Sequence, residues 1–314
     1  MSRTDQGKGA KPKRQHWVPC FYLRHFATPE TRTSREPKVW VLSKHEGDPM
    51  LTSIRNVAHQ RYLYSPRDEA GKRLWDLESK FADYEGLMQQ VWQRLADDMV
   101  DLYGPAIRKG LALFISLLYL RHPRRLAEVD GLHGRLLELL EAAPRDALGN
   151  PDVEAVEING QVRTLDNTDW PRYRDASEND KKRMFIEGVR ANAIQLAETL
   201  MKKRWSVVFA EEPAFITTDT PVLLMHQSRE VFGFGTPGVV VSFPLSPTRV
   251  LMMDDRHDQP AGHYYPLKGS PADHNGLAWR DCERFMISPR HPDVVCRELL
   301  AQAAFHADDA GPLQ

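Results

Sequence analysis

Four side chains in this sequence have the type and setting to do chemistry: His16, Glu85, Arg121 and Asp219. His16 lies in Arg14-Gln-His-Trp-Val-Pro-Cys-Phe-Tyr-Leu-Arg-His-Phe26, a stretch dense in rings and charge just before a helix start at Pro19. A histidine there can bind a metal or move a proton near neutral pH; the plainer alternative is a core histidine bonded to a backbone carbonyl. Glu85 shares a helix face with Glu78, two turns earlier. Inward-pointing carboxylates can hold a divalent cation or share a proton, whereas outward ones are the wet shoulder of an apolar seam. Arg121 ends the most apolar helix in the chain. A cation suits a helix C-terminus, and it can also reach a buried carboxylate or a bound phosphate. Asp219, in Thr217-Thr-Asp-Thr-Pro221, follows a strand. It is either a turn former through side-chain to backbone bonds or a carboxylate presented at a strand end. His25, Asn275 and Arg280 are weaker candidates, read as structural.

Taken together, His16, Glu85 and Asp219 are expected to hold a divalent metal, with Arg121 facing a phosphate. The activity this implies is phosphodiester cleavage or a similar metal-assisted hydrolysis. It requires the four side chains to converge in one cleft. The competing reading is a non-catalytic interaction or sensing protein, in which the same polar residues form a buried network with Arg121 bonded to Glu85. Familiar signatures are missing: there is no phosphate-binding glycine loop, no Gly-x-Ser-x-Gly elbow and no His-Glu-x-x-His helix. Phe232-Gly-Phe-Gly-Thr-Pro-Gly238 lacks the lysine and helix of a phosphate loop and reads as a flexible hairpin loop.

The elements that must position these groups follow from periodicity. Leu74, Leu77, Phe81, Tyr84, Met88, Val91 and Leu95 step by three and four, predicting a long amphipathic helix, which Gly104-Pro105 ends. A second helix, nearly apolar all round, spans 106–121 and stops at Pro123. A third covers 125–143 and a fourth 178–204. Residues 144–176 form a long connection, or a small β-excursion around Val153 to Val162. Short strands are expected at Val39 to Leu42 and Tyr62 to Tyr64. After residue 205 the texture turns β-rich, with strands near 205–210, 215–222, 238–244, 249–253 and 285–288, and helices near 273–284 and 294–304. The fold class is therefore α+β: a helical bundle over about 70–204 with a C-terminal, mainly antiparallel sheet flanked by helices, in one domain from 15 to 304. The tail 305–314 follows it, and a disordered basic tail over 1–14 precedes it.

Composition narrows the class. The 314 residues are 41% hydrophobic and 27% charged with a net charge of -1, so the chain as a whole is not built to bind polyanions. Residues 1–14 do carry Arg3, Lys8, Lys11, Lys13 and Arg14 against Asp5 alone, and nucleic acid or acidic lipid is the partner this tail suggests, unless it is only a solvated leader. Three cysteines with no Cys-x-x-Cys pair argue against a disulfide framework or structural zinc and fit a reducing, cytoplasmic setting. The longest apolar run, Leu111 to Leu120, is too short for a membrane span of about 20 residues.

These motifs resemble a family, the one catalogued as domain of unknown function 4238 (DUF4238). Its opening Gln-His-x-Val-Pro-x-x-x-Leu-Arg-x-Phe segment is matched by Gln15, His16, Val18, Pro19, Leu23, Arg24 and Phe26. Glu85 on a helix, Arg121 and Pro123 in Arg-x-Pro, Thr218, Asp219, Pro221 and Val222 in a turn, and Phe243 to Pro247 at a strand end match in order. Position 25, usually asparagine in the family, is His25 here. The resemblance spans residues 14 to about 290. It implies an uncharacterised protein of bacterial accessory genes, for which a nuclease of bacterial defence is an expectation by association.

Overall fold

The computed structural model describes residues 13–45, 47–153, 155–158, 161–164 and 170–309. Residues 1–12 of the expected basic leader and 310–314 of the expected C-terminal tail lie outside them. The chain begins with β1 (Arg14–His16) and α1 (Cys20–His25). Pro19 caps α1 from outside, with φ -63° and ψ 142°, instead of opening it. β2 (Lys38–Ser43), β3 (Met50–Ser53), a 3-10 turn (Ile54–Asn56) and β4 (His59–Arg61) follow. Tyr62 to Tyr64, expected as a strand, is a turn: the strand lies just before it, and Tyr62 leaves it at φ +54°.

The helical part is α2 (Asp76–Asp97), α3 (Pro105–Leu120), α4 (Pro123–Ala142), α5 (Trp170–Arg174) and α6 (Glu178–Lys202). Prolines stand at the first turns of α3 and α4, where a missing N–H costs nothing. α6 starts with a reciprocal capping box between Ser177 and Asp180. The seam of α2 is buried at Leu77, Phe81, Met88 and Leu95, but Leu74 precedes the helix and is exposed. Trp92, beside the seam in sequence, is fully buried. The β-excursion is a hairpin of β5 (Ala155–Ile158) and β6 (Gln161–Thr164).

The β-rich part supplies β7 (Arg204–Phe209), β8 (Thr217–Thr218), β9 (Leu223–Met225), β10 (Val240–Ser246), β11 (Arg249–Asp254), β12 (Tyr264–Pro266) and β13 (Phe285–Ser288), with α7 (Ala272–Asp281) and α8 (Pro292–Asp309). One sheet has the order β12-β7-β11-β10-β9, antiparallel except for the β12–β7 pair. A second, antiparallel sheet has the order β3-β2-β13-β8 and so joins two early strands to the last one described. The class is α+β, as the patterning implies. α8 continues past Ala304 to Asp309, into the expected tail. Among the described residues no helix is long and apolar enough to cross a membrane.

The opening stretch sits at the centre of the core. Tyr22 stacks on Phe243 with ring centroids 5.4 Å apart, and its hydroxyl donates to the Pro244 carbonyl at 2.8 Å. Phe21 meets Trp92 and Phe114 edge-on or tilted, both at 5.5 Å. Trp92 in turn donates its indole N–H to the Leu245 carbonyl at 3.2 Å. α1 thus wedges between α2, α3 and the larger sheet.

Candidate functional site

Trp17 is the hinge of the polar core. Its carbonyl accepts Arg121 Nε at 2.9 Å, and its indole N–H donates to the Asp219 carbonyl at 3.1 Å. Arg121 and Asp219 thus meet two sides of this residue, one its carbonyl and the other its indole.

On the first side, Arg121 follows α3 as its C-cap and is 2% exposed. Its Nη1 pairs with Glu85 Oε1 at 2.6 Å, its guanidinium lies 5.1 Å over the Phe81 ring, and its carbonyl accepts the Tyr64 hydroxyl at 2.9 Å. Nη2 is buried with no hydrogen-bond partner. Glu78, Glu85 and His16 are half-buried around it. Burial pushes the Glu78 carboxyl up to about 7, with repulsion from Glu85 adding to it and Arg121 opposing. Burial pushes the His16 imidazole down to about 4; its bond to the Arg55 carbonyl opposes this, and His59, Arg121 and Arg14 reinforce it. The imidazole is therefore neutral at pH 7. Its Nε2 lies 3.2 Å from the Arg55 carbonyl. A carbonyl only accepts, so Nε2 carries the proton and Nδ1 the lone pair. Cys20, on the same side, is not a ready nucleophile: burial first and then Glu85 push its thiol up to about 11.

On the second side, Asp219 is fully buried. One oxygen, Oδ1, accepts backbone N–H groups of Glu283, Arg284 and Phe285 at 3.2, 3.2 and 3.3 Å. That ties the turn after β8 to the start of β13. The other, Oδ2, faces His122 Nε2 at 3.9 Å, too long for a hydrogen bond, and both atoms are buried without partners. His122 caps α4 by accepting Arg124 N–H on Nδ1 at 3.0 Å. Sequence reasoning passed over His122, the middle residue of Arg-x-Pro. The signal was present, since a residue before proline cannot continue a helix and is a natural cap.

The metal set of His16, Glu85 and Asp219 is thus not assembled. Among the described residues no group of three or more His, Cys, Asp or Glu side chains could hold a metal ion. The physical reason is prior engagement: Glu85 is paired with Arg121, Asp219 Oδ1 takes three N–H groups across Trp17, and His16 Nε2 is turned to a carbonyl. Arg121 and Glu85 bond directly and the Arg121 charge acts on His16, whereas Asp219 Oδ1 is held by other partners. His25 is buried, and its Nδ1 accepts Arg32 Nη2 at 3.1 Å. Asn275 is buried and joins Ile216 N–H to the Ala214 carbonyl.

The family profile "Protein of unknown function (DUF4238)" matches residues 14–303, from the start of β1 into α8. The chain belongs to the DUF4238 family. No curated protein and no solved structure matches it.

Proposed function

We propose that this DUF4238 protein is a hydrolase of anionic esters, of the phosphodiester class, working by general acid–base chemistry at the Arg121 cluster. The observation that carries the reading is the pair of carboxylates on one face of α2. Glu85 is fixed as the partner of Arg121, while Glu78, two turns away, is pushed up to about 7 and is half protonated at neutral pH. A carboxyl that keeps its proton near neutral pH is how enzymes present a general acid. His16 supplies the complement, a neutral imidazole with its lone pair fixed on Nδ1.

In this scheme Nδ1 of His16 takes a proton from water as the water oxygen bonds to phosphorus. The bond from phosphorus to the leaving oxygen breaks, and that oxygen takes the Glu78 proton. Arg121 supplies fixed positive charge against the developing anion. The test is the pH profile of hydrolysis of bis(p-nitrophenyl) phosphate. A bell with limbs near 4 and 7 is expected, and Glu78→Gln should remove its upper limb and cut kcat about 100-fold. Equal profiles for wild type and variant would end the proposal.

A second reading is favoured by the sealing of Arg121. A guanidinium 2% exposed and bonded to Glu85 and a backbone carbonyl is also what a non-catalytic, structural network contains. On that reading Glu78→Gln changes nothing but stability.

A further inference from the structure

The ribbon of β1 and β4 has an unusual register. Arg14 stands opposite Arg61 and His16 opposite His59, while Gln15 stands opposite Gln60. Side chains alternate along a strand, so Arg14, His16, His59 and Arg61 share one face. Gln15 points the other way, fully buried, with its amide bonded to Ser65 Oγ and to Tyr64 N–H. Like charges directly opposite one another destabilise a strand pair. Nothing anionic offsets them here: among the described residues Arg14, Arg55, Arg61, Arg73 and Lys182 make no ion pair with a carboxylate. Arg14, Arg55 and Arg61 are exposed.

An aromatic group is interleaved with these cations. Tyr62 follows Arg61 directly, in the left-handed region at φ +54°. The Arg73 guanidinium lies 3.6 Å over its ring and that of Arg61 5.8 Å, and Lys182 Nζ donates to its carbonyl at 3.0 Å. Ala58, at the other end of β4, is also left-handed at φ +51°. Both ends are tied down, by Trp17 N–H to the Ala58 carbonyl and by Tyr62 N–H to the Lys13 carbonyl, each at 3.0 Å. The strained backbone holds the cationic face and the ring in a fixed relation.

We infer that the β1–β4 ribbon binds the phosphodiester backbone of single-stranded nucleic acid, which runs over Arg14, Arg55 and Arg61 towards His16. Unneutralised cations with a ring beside them are the recognition chemistry of an extended polynucleotide: phosphates meet the exposed guanidiniums and a base meets the stack of Arg73 on the Tyr62 ring. The like-charge register, a cost in the free protein, becomes a two-sided clasp when phosphates lie on it. The inference deepens the hydrolytic reading and rests on it for the site that the strand reaches. It differs from binding by the basic leader, because the residues involved belong to the folded ribbon.

The test is fluorescence anisotropy of the full-length protein with labelled oligothymidine and oligouridine of about 16 nucleotides, over a salt series starting near 50 mM. Wild type is expected to bind with affinity falling as salt rises. Arg55→Gln with Arg61→Gln should weaken binding about tenfold or more and lower the salt slope by about 0.7 per arginine removed. Arg61→Glu should lower affinity and at the same time raise the melting temperature, because the new carboxylate faces Arg14. No binding by wild type at low salt, equal binding by the ribbon variants, or loss of binding only in Lys8→Gln with Lys11→Gln would overturn the inference. The two oligonucleotides tell DNA from RNA. Ribbon-dependent binding without cleavage of either strand keeps the inference and removes the hydrolytic reading. Hydrolysis of bis(p-nitrophenyl) phosphate by wild type that Glu78→Gln impairs, together with no oligonucleotide binding, does the reverse.

Discussion

The two sides of Trp17 use the same kinds of residue to opposite effect. Each has a carboxylate, a histidine and an arginine nearby. On the Asp219 side the carboxylate is fully buried, and three backbone N–H groups converge on one of its oxygens. On the Arg121 side Glu78 and Glu85 are half-buried, and their surroundings are set by one arginine and by each other. A carboxylate satisfied by the main chain is a fastener, because moving it breaks the fold. A carboxylate satisfied by another side chain, with a second one left over, keeps a proton available. The contrast lies in who supplies the hydrogen bonds, which residue types alone do not reveal.

The contrast can be broken or sharpened by substitution, and Asp219 should give the largest effect. Asp219→Ala leaves three N–H groups without their acceptor and should cost about 3 kcal/mol or more of unfolding free energy in a denaturant titration. A cost below about 1 kcal/mol would mean that this side is not the fastener described. Glu85→Gln comes next. It leaves the Arg121 charge uncompensated in its 2% exposed position and should cost about 1–3 kcal/mol, less than a fully buried pair because Glu85 itself is partly wet.

The pH dependence of stability follows with a definite sign. Burial pushes His16, His25 and His274 down to about 4, so below the ordinary histidine value the unfolded chain binds protons that the folded chain refuses. Stability should therefore fall as pH drops from about 6.5 to about 4. Glu78 has the opposite sign. Its raised carboxyl favours the fold below its unfolded value and loses that contribution as pH rises through about 7. Thermal melts of wild type against Glu78→Gln, which keeps a neutral side chain throughout, should converge at low pH and separate near pH 7, with the variant the more stable. Smallest of all is His122. Its Nε2 bonds to nothing, so His122→Asn, which can still cap α4, should stay within about 1 kcal/mol of wild type in the same titration.

Much of the fold was legible because it rests on local pattern. The helix seam of α2, the breaks at Pro105 and Pro123 that separate α2, α3 and α4, and the strand at Phe285 to Ser288 are all written in spacing, although both prolines open the following helix as well as ending the one before. The pairing of β2 with β13 was not, because strands more than 240 positions apart leave no periodicity that says they meet. For the site, Arg121 and Glu85 stood out as a cation ending an apolar helix and an acid beside an apolar seam, and they bond to each other. Asp219 stood out equally, yet its partners are N–H groups of Glu283, Arg284 and Phe285, which any sequence would supply. Glu78 was visible as a possible partner of Glu85 on one helix face or as a shoulder of the seam, with nothing to choose between the two. Its distinction comes from burial and from Glu85 and Arg121, all products of the fold.

The double attachment of Trp17 also fixes an order of events during synthesis. Trp17 leaves the ribosome well before its partners, for its carbonyl waits for Arg121, 104 positions later, and its indole for Asp219, 202 positions later. Contacts so distant in sequence close late and slowly. The stretch around Trp17 is therefore made before the residues that hold it and seated only after them. Until most of the chain has emerged, its rings have no core to enter, which makes them the natural target for a chaperone on the nascent chain.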